Sequence, residues 1–301
     1  MVDLSIKLCG MKLENPTILA SGILGVVGST LKKVSENGAG AVVTKSIGTM
    51  ARDGHKNPSV IEIETGLLNA IGLANPGYKV FEDEIMKAKD GSAPVIGSIY
   101  GFNIREFVEV AMAMEGYGVD ALEMNLSCPN VSKAGAYYGQ NKDLAYEAVK
   151  AVKESVKIPV IAKLTANVSD IVSIAKACEE AKCDAITAIN TVRAMKIDIN
   201  AKMPVLANKF GGLSGPCIKP LAISAVYEIA KETNLPVLGC GGVTTGEDAV
   251  EFMMAGASAV QIGTAVLHRG ISVFKKITRE IEDFMDQNGY TRVEELVGAA
   301  Q

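Results

Sequence analysis

Lysine, asparagine, serine and glycine recur just past short apolar runs, at Ser21, Lys45-Ser46, Ser98, Asn125-Leu126-Ser127-Cys128, Lys163, Asn190-Thr191, Gly241-Gly242 and Gly263-Thr264. Any buried strand must end somewhere polar, yet lysine and asparagine seldom end one without a partner or a task. Gly239-Cys240-Gly241-Gly242 and Gly263-Thr264 follow the last two runs. Glycines there let backbone N–H groups approach an anion, although tight turns also want glycine. Gly215, in the turn GGLSGP (211–216), could add a donor. Lys163 could be a rim salt-bridge partner, a Schiff-base nucleophile, or the fixed cation beside an anionic reduced flavin ring. Lys45 could hold such a ring or a substrate carboxylate. Asn69, Asn125 and Asn190 each offer donors and acceptors, which suits a pyrimidine; singly, each is a common turn residue.

The six cysteines include no CxxC pair. That spacing fits reduced thiols rather than a disulfide framework, a zinc site or an iron–sulfur cluster. Cys9, Cys178, Cys183 and Cys240 read as small buried hydrophobes. Cys128 differs, because Pro129 and Asn130 force a loop directly after it. With only two histidines, His55 and His268, a Cys128 thiolate is a candidate base or nucleophile.

To bring these residues together, the runs that carry them must converge. Four runs open with proline: Pro16-Thr-Ile-Leu-Ala, Pro94-Val-Ile-Gly-Ser, Pro159-Val-Ile-Ala-Lys and Pro236-Val-Leu-Gly-Cys. Four others, AGAVVTKS (39–46), VDALEMNLS (119–127), CDAITAIN (183–190) and ASAVQIGT (257–264), alternate with them. All eight are too short for helices and apolar on both faces, as buried parallel strands are. Amphipathic helices are expected at Asn103–Tyr117, Asn141–Val156, Ser169–Ala181, Lys219–Thr233 and Thr245–Ala255, with glycine punctuation at Gly38, Gly116 and Gly256. Alternating strands and helices in fourfold pseudo-repeat predict an α/β fold, a closed (β/α)8 TIM barrel, as one domain over residues 1–301. An open doubly wound sheet would want a glycine fingerprint in its first turn, and Gly22-Ile-Leu-Gly25 lacks that spacing. Two long insertions, 47–80 and 191–216, follow strand C-termini, the face where barrels carry their sites.

The 301 residues are 48% hydrophobic and 21% charged, enough for a large core and far from the disordered range. A net charge of −4 argues against nucleic acid as a partner. No apolar run approaches the roughly 18–20 residues that span a bilayer. The start, MVDLSIKLCGMKLENP, has neither a basic n-region nor an apolar h-region, so a cytoplasmic protein is expected.

The motifs NLSCPN (125–130), Lys163, Asn190-Thr191, GGLSGP (211–216), GCGG (239–242) and QIGTA (261–265), with Thr44-Lys-Ser46 and Asn69-Ala-Ile-Gly-Leu73, closely resemble the class 1 dihydroorotate dehydrogenases from about residue 4 to 285. The resemblance implies an FMN-binding barrel that oxidises dihydroorotate to orotate in pyrimidine biosynthesis. Cys128 would remove the C5 proton while the C6 hydride passes to flavin N5. Ser21, Lys45, Ser46, Ser98, Asn125, Lys163, Ile189, Gly215, Gly241, Gly242, Gly263 and Thr264 would hold FMN. Lys45, Asn69, Ala70, Ile71, Gly72, Leu73, Asn125, Asn190 and Thr191 would hold substrate. Ser98 departs from the asparagine frequent in related chains, and Cys217 from their alanine. The membrane-associated class 2 enzymes use serine as base. VSKAGAYYGQ (131–140) and GGLSGPCIKPLAI (211–223) look more like the NAD-linked branch than the homodimeric fumarate-reducing one. That branch implies a homodimer core in a heterotetramer, two of each chain, whose second subunit is an iron–sulfur flavoprotein carrying FAD and a [2Fe–2S] cluster. The rivals are a uridine-reducing flavin barrel, for which the sequence offers no basic surface, an aldolase using Lys163, and a non-catalytic barrel.

Overall fold

Each of the eight apolar runs becomes a parallel strand. The computed structural model describes residues 2–126 and 138–301, with the strands β1 (Thr17–Leu19), β2 (Ala41–Val43), β3 (Val95–Ile99), β4 (Ala121–Asn125), β5 (Val160–Lys163), β6 (Ala185–Ala188), β7 (Val237–Cys240) and β8 (Ala257–Ile262). They close into a barrel in chain order, β8 pairing with β1. The fourfold repeat has a hydrogen-bond signature. Pro16, Pro94, Pro159 and Pro236 stand one residue before β1, β3, β5 and β7, so the missing N–H falls outside the ladder. Their carbonyls accept from Val260, Val42, Leu122 and Ile186, each on the preceding strand.

The five expected helices form at Ile104–Gly116, Lys142–Ser155, Ile171–Glu180, Lys219–Glu232 and Gly246–Met254. Asn103, Asn141, Asp170 and Thr245 cap four of them through side-chain oxygens that accept first-turn N–H groups. Each buries an apolar stripe against the sheet, as Phe107, Val110, Ala111 and Met114 do on the first. Gly38 and Gly256 take the positive φ expected of helix terminators. Gly116 does not: it is the last helical residue, and the left-handed position falls to Gly118.

Two features lie outside the simple repeat. Ile6–Leu8 and Met11–Leu13 pair as an antiparallel hairpin. Its Cys9 thiol donates to the carbonyl of Asp184, just before β6, so the hairpin covers the N-terminal end of the barrel and buries Leu8 and Leu13. At the opposite end the two long insertions meet. Val60–Ile63, Gly66–Asn69, Gly211–Ser214 and Val192–Ala194 form a four-stranded antiparallel sheet, with Leu68, Ala70 and Leu206 as a small core of its own. No helix among the described residues is long and apolar enough to cross a membrane.

Candidate active site

A cavity opens between the C-terminal ends of the barrel strands and the insertion sheet, and its lining draws on both. One end is made of backbone. Gly241 (φ +134°), Gly242 (φ +86°) and Gly215 (φ +103°) hold conformations that L side chains rarely adopt. A Cβ on Gly242 would stand 2.8 Å from the Lys219 Cβ and 2.9 Å from the Gly215 oxygen. The N–H groups of Gly241, Gly242, Gly263 and Thr264 find no acceptor among the described residues. Donors held open in this way form an anion cradle.

Two charged groups clamp the loop after β7. Asp248 accepts from Thr244 N (2.8 Å), Thr244 Oγ1 (2.6 Å), Thr245 N (2.9 Å) and Lys219 Nζ (2.7 Å). Arg269, on the short helix Ala265–Arg269 after β8, donates to the Thr244 carbonyl at 2.6 Å and pairs with Glu280. Arg269 thus ties the two glycine loops together. Burial works against the Asp248 charge, but Lys219 and the Thr244 and Thr245 donors outweigh it and bring the carboxyl down to about 2. A folded pKa below the ordinary 3.8 gives stability that is complete above about pH 4 and lost as pH falls toward 2. That contribution is about 2 kcal/mol. Asp248→Asn is therefore expected to be less stable by about that amount at neutral pH, with a flatter acid slope than the parent. Urea unfolding at neutral and strongly acid pH checks this, and an unchanged acid slope would show that Asp248 is not the clamp.

The other end is made of side chains. The Ser21 hydroxyl donates to the Thr44 carbonyl at 2.8 Å and lies 3.3 Å from Ser46 Oγ. Asn125 Nδ2 donates to Ser46 at 3.2 Å, and Asn190 Nδ2 donates to Asn125 Oδ1 at 3.3 Å. Asn69 comes down from the insertion sheet, where its amide donates to the Gly212 carbonyl at 3.2 Å. Lys45, Ile189, Thr191, Ile71, Gly72 and Leu73 complete this part of the lining.

Most of the described residues singled out in the sequence therefore face one cavity, with two exceptions. Ser98 is fully buried beneath it and touches Ser46 Oγ at 2.9 Å. Ala70 points into the small core of the insertion sheet, because neighbours in an extended strand face opposite ways. Cys128 lies outside the described residues. Cys240, read as a packing residue, lines the cavity instead, together with Gly22, Ile23, Ser214, Val243, Thr244 and Gln261. Burial raises the Cys240 thiol, so it is not an anion at neutral pH.

Sequence reasoning also passed over the partners of Lys163. Its Nζ donates to Gln261 Oε1 at 2.7 Å and lies 3.4 Å from Glu123 Oε1. Burial works against the Lys163 charge, but negative charge at Cys240 and Glu123 and the Glu123 hydrogen bond more than reverse it, so the net shift is upward. Of these neighbours Cys240 is a thiol at neutral pH, and Glu123 is the one in direct contact with the ammonium. The signal was present, because Glu123 is an acidic residue in the middle of the run VDALEMNLS, between Leu122 and Met124.

An eight-stranded barrel with open backbone donors after its last two strands and amides around its mouth has the architecture of enzyme-type barrels, whose phosphate sites lie in that place. Comparison with known proteins makes this particular. The family described as dihydroorotate dehydrogenase matches residues 3–285, and the chain belongs to that family. It is 52% identical to a Methanocaldococcus jannaschii protein over 99% of this chain and 98% of that one. It is 50% identical to a Thermoplasma volcanium protein over 100% and 99%, and 49% identical to one from Pyrococcus furiosus over the same shares. All three bear the name dihydroorotate dehydrogenase B (NAD(+)), catalytic subunit.

Proposed function

We propose that this chain, a single domain over residues 1–301, is the FMN-bearing catalytic subunit of a cytoplasmic, NAD-linked enzyme. It oxidises dihydroorotate to orotate in pyrimidine biosynthesis. One observation carries this reading: an open N–H cradle, a buried cation and a row of amides share a single cavity. That donor set fits FMN. Gly241, Gly242, Gly263 and Thr264, with Gly215 beside them, would hold its phosphate. Lys163, Ser21, Lys45, Ser46, Asn125 and Ile189 would hold its ring, Ser98 acting from beneath through Ser46. Bound FMN supplies the two-electron acceptor.

The chain's own residues do the rest. Lys45 offers a cation for the substrate carboxylate. Asn69, Asn125 and Asn190, with Thr191 and the segment Ile71–Leu73, offer donors and acceptors for a ring of N–H and C=O groups. Cys128 takes the C5 proton. Electrons leave to a partner, an iron–sulfur flavoprotein with FAD and a [2Fe–2S] cluster, in a heterotetramer built on a homodimer of this chain. Two facts favour that route. The relatives are named as NAD(+)-linked catalytic subunits, and this sequence has neither a dinucleotide fingerprint nor a cysteine cluster for such groups.

The purified chain is expected to be yellow, to release one FMN on denaturation, and to oxidise dihydroorotate with artificial dyes but hardly with NAD+ until the partner is added. FAD in place of FMN, or no flavin after reconstitution, would overturn the cofactor assignment. Efficient turnover of the lone chain with fumarate would place it in the homodimeric branch. Robust NAD+ reduction without a partner would contradict both branches.

A further inference from the structure

One layer below the cavity the barrel departs from its usual filling. Inward residues of alternate strands stack in layers dominated by branched apolar side chains. Here β4, β6 and β8 contribute Glu123, Thr187 and Gln261, all sealed from solvent. A carboxylate in that position is costly unless it is paired and hydrogen-bonded. Glu123 is both. Its Oε2 accepts from Gln261 Nε2 at 2.5 Å and from Thr187 Oγ1 at 3.1 Å, and its Oε1 lies 3.4 Å from Lys163 Nζ. Gln261 Oε1 accepts the other Lys163 contact at 2.7 Å, so its amide bridges the two charges with its oxygen toward the cation and its nitrogen toward the anion.

Lys163 and Gln261 line the cavity, whereas Glu123 and Thr187 do not. An ammonium has three donors. Two of those on Lys163 are engaged by Gln261 and Glu123, and the third finds no partner among the described residues. The fold itself does not call for this arrangement, since replacing a buried ion pair by apolar residues of similar volume is often neutral or stabilising.

We propose that Glu123 is a positioning residue: through direct contact and the Gln261 bridge it keeps Lys163 charged and aimed into the cavity, and so sets the reduction potential of the FMN held there. The proposal rests on the FMN reading above. The groups in contact with the Lys163 ammonium are Glu123 from β4 and Gln261 from β8, and the Cys240 thiol from β7 is close enough to act on its charge. Glu123 brings the carboxyl group among them.

Glu123→Gln leaves a buried ammonium without its counter-charge, and such a lysine loses its proton within the ordinary pH range. The potential of bound FMN in this variant, measured relative to the parent, is then expected to fall with rising pH as Lys163 deprotonates. The fall should reach at least tenfold in preference for the reduced form, which for two electrons is about 30 mV. Glu123→Asp, which keeps the charge, should remove most of that step. A variant-minus-parent difference that is flat with pH would overturn the proposal.

A second measurement needs neither cofactor nor a folded Glu123 variant. In Lys163→Met the orphaned Glu123 should take up a proton, giving an infrared carboxylic-acid C=O band at neutral pH that the parent lacks. Absence of that band would equally overturn the proposal. If the parent binds no FMN, the functional reading fails, while the infrared result still decides whether Glu123 and Lys163 hold each other's charge.

Discussion

Cys128→Ser is expected to slow the reduction of bound FMN by dihydroorotate about 10²–10⁴-fold at neutral pH, the range general-base catalysis contributes, while leaving orotate affinity nearly unchanged. The described cavity lining contains no aspartate, glutamate or histidine; its titratable side chains are Lys45, Lys163 and Cys240. Lys163 is held protonated, and Cys240 is held as a thiol by burial. Burial also pushes Cys9 and Cys178 up to about 12 and raises Cys183. Cys128 follows Asn125, a cavity residue, by three positions and is the residue proposed above for the role, Lys45 being assigned to the substrate carboxylate. A hydroxyl is a far weaker acid than a thiol, so its anion is scarce at neutral pH. The serine variant should therefore keep accelerating with rising pH beyond the point where the parent levels off. Single-turnover bleaching after anaerobic mixing reads this directly. Near-parental bleaching at pH 7 would remove Cys128 from the role, and Cys178→Ala should lower stability while sparing the bleaching rate.

The barrel was legible because its signals are local. A short strand opened by proline recurs four times, followed in three of the four by a side-chain-capped amphipathic helix, and each piece can be read within a short window. The insertion sheet has no such signal. Gly66–Asn69 pairs with Gly211–Ser214 across more than a hundred residues of chain, and these two strands are four residues long and each opens with glycine. Nothing within either segment announces the other. The candidate site divides along the same line. Position after a strand end can be read from sequence, and it located Ser21, Lys45, Asn125, Lys163, Asn190 and the glycine pairs. Which way a side chain faces depends on pleat and register. That is why Ala70 turns into the small core of the insertion sheet, Ser98 supports Ser46 from below, and Cys240 reaches the cavity. Glu123 was hidden for a different reason. An acid in the middle of an apolar run is visible, but its partners come from β5, β6 and β8, and only closure of the barrel brings them within hydrogen-bond reach.

Gly242→Val is expected to weaken FMN binding about 10–100-fold, and Gly263→Ala separates the two ways in which a side chain can do this. At Gly242 the backbone itself objects: φ is +86°, a value at which a β-branched residue is a genuine outlier. The added Cβ also meets Lys219 Cβ at 2.8 Å and the Gly215 oxygen at 2.9 Å. Relief requires the loop after β7 to move away from the turn that carries Gly215, which pulls the cradle N–H groups out of register. Strain of this kind amounts to about 1–3 kcal/mol, the origin of the expected range. The variant should therefore be less stable even without cofactor. Gly263 has no positive φ, and its Cβ would meet only Ala20 at 3.5 Å and Ile23 at 3.7 Å, ordinary contacts with two other cavity residues. Alanine there should leave the FMN-free protein as stable as the parent and still weaken FMN, since the methyl group occupies the ligand's approach. FMN titration and thermal unfolding of both FMN-free variants make the comparison. Parental FMN affinity in both would mean that the phosphate is held elsewhere, and an unaltered melting temperature in FMN-free Gly242→Val would mean that the positive φ is not enforced by the loop.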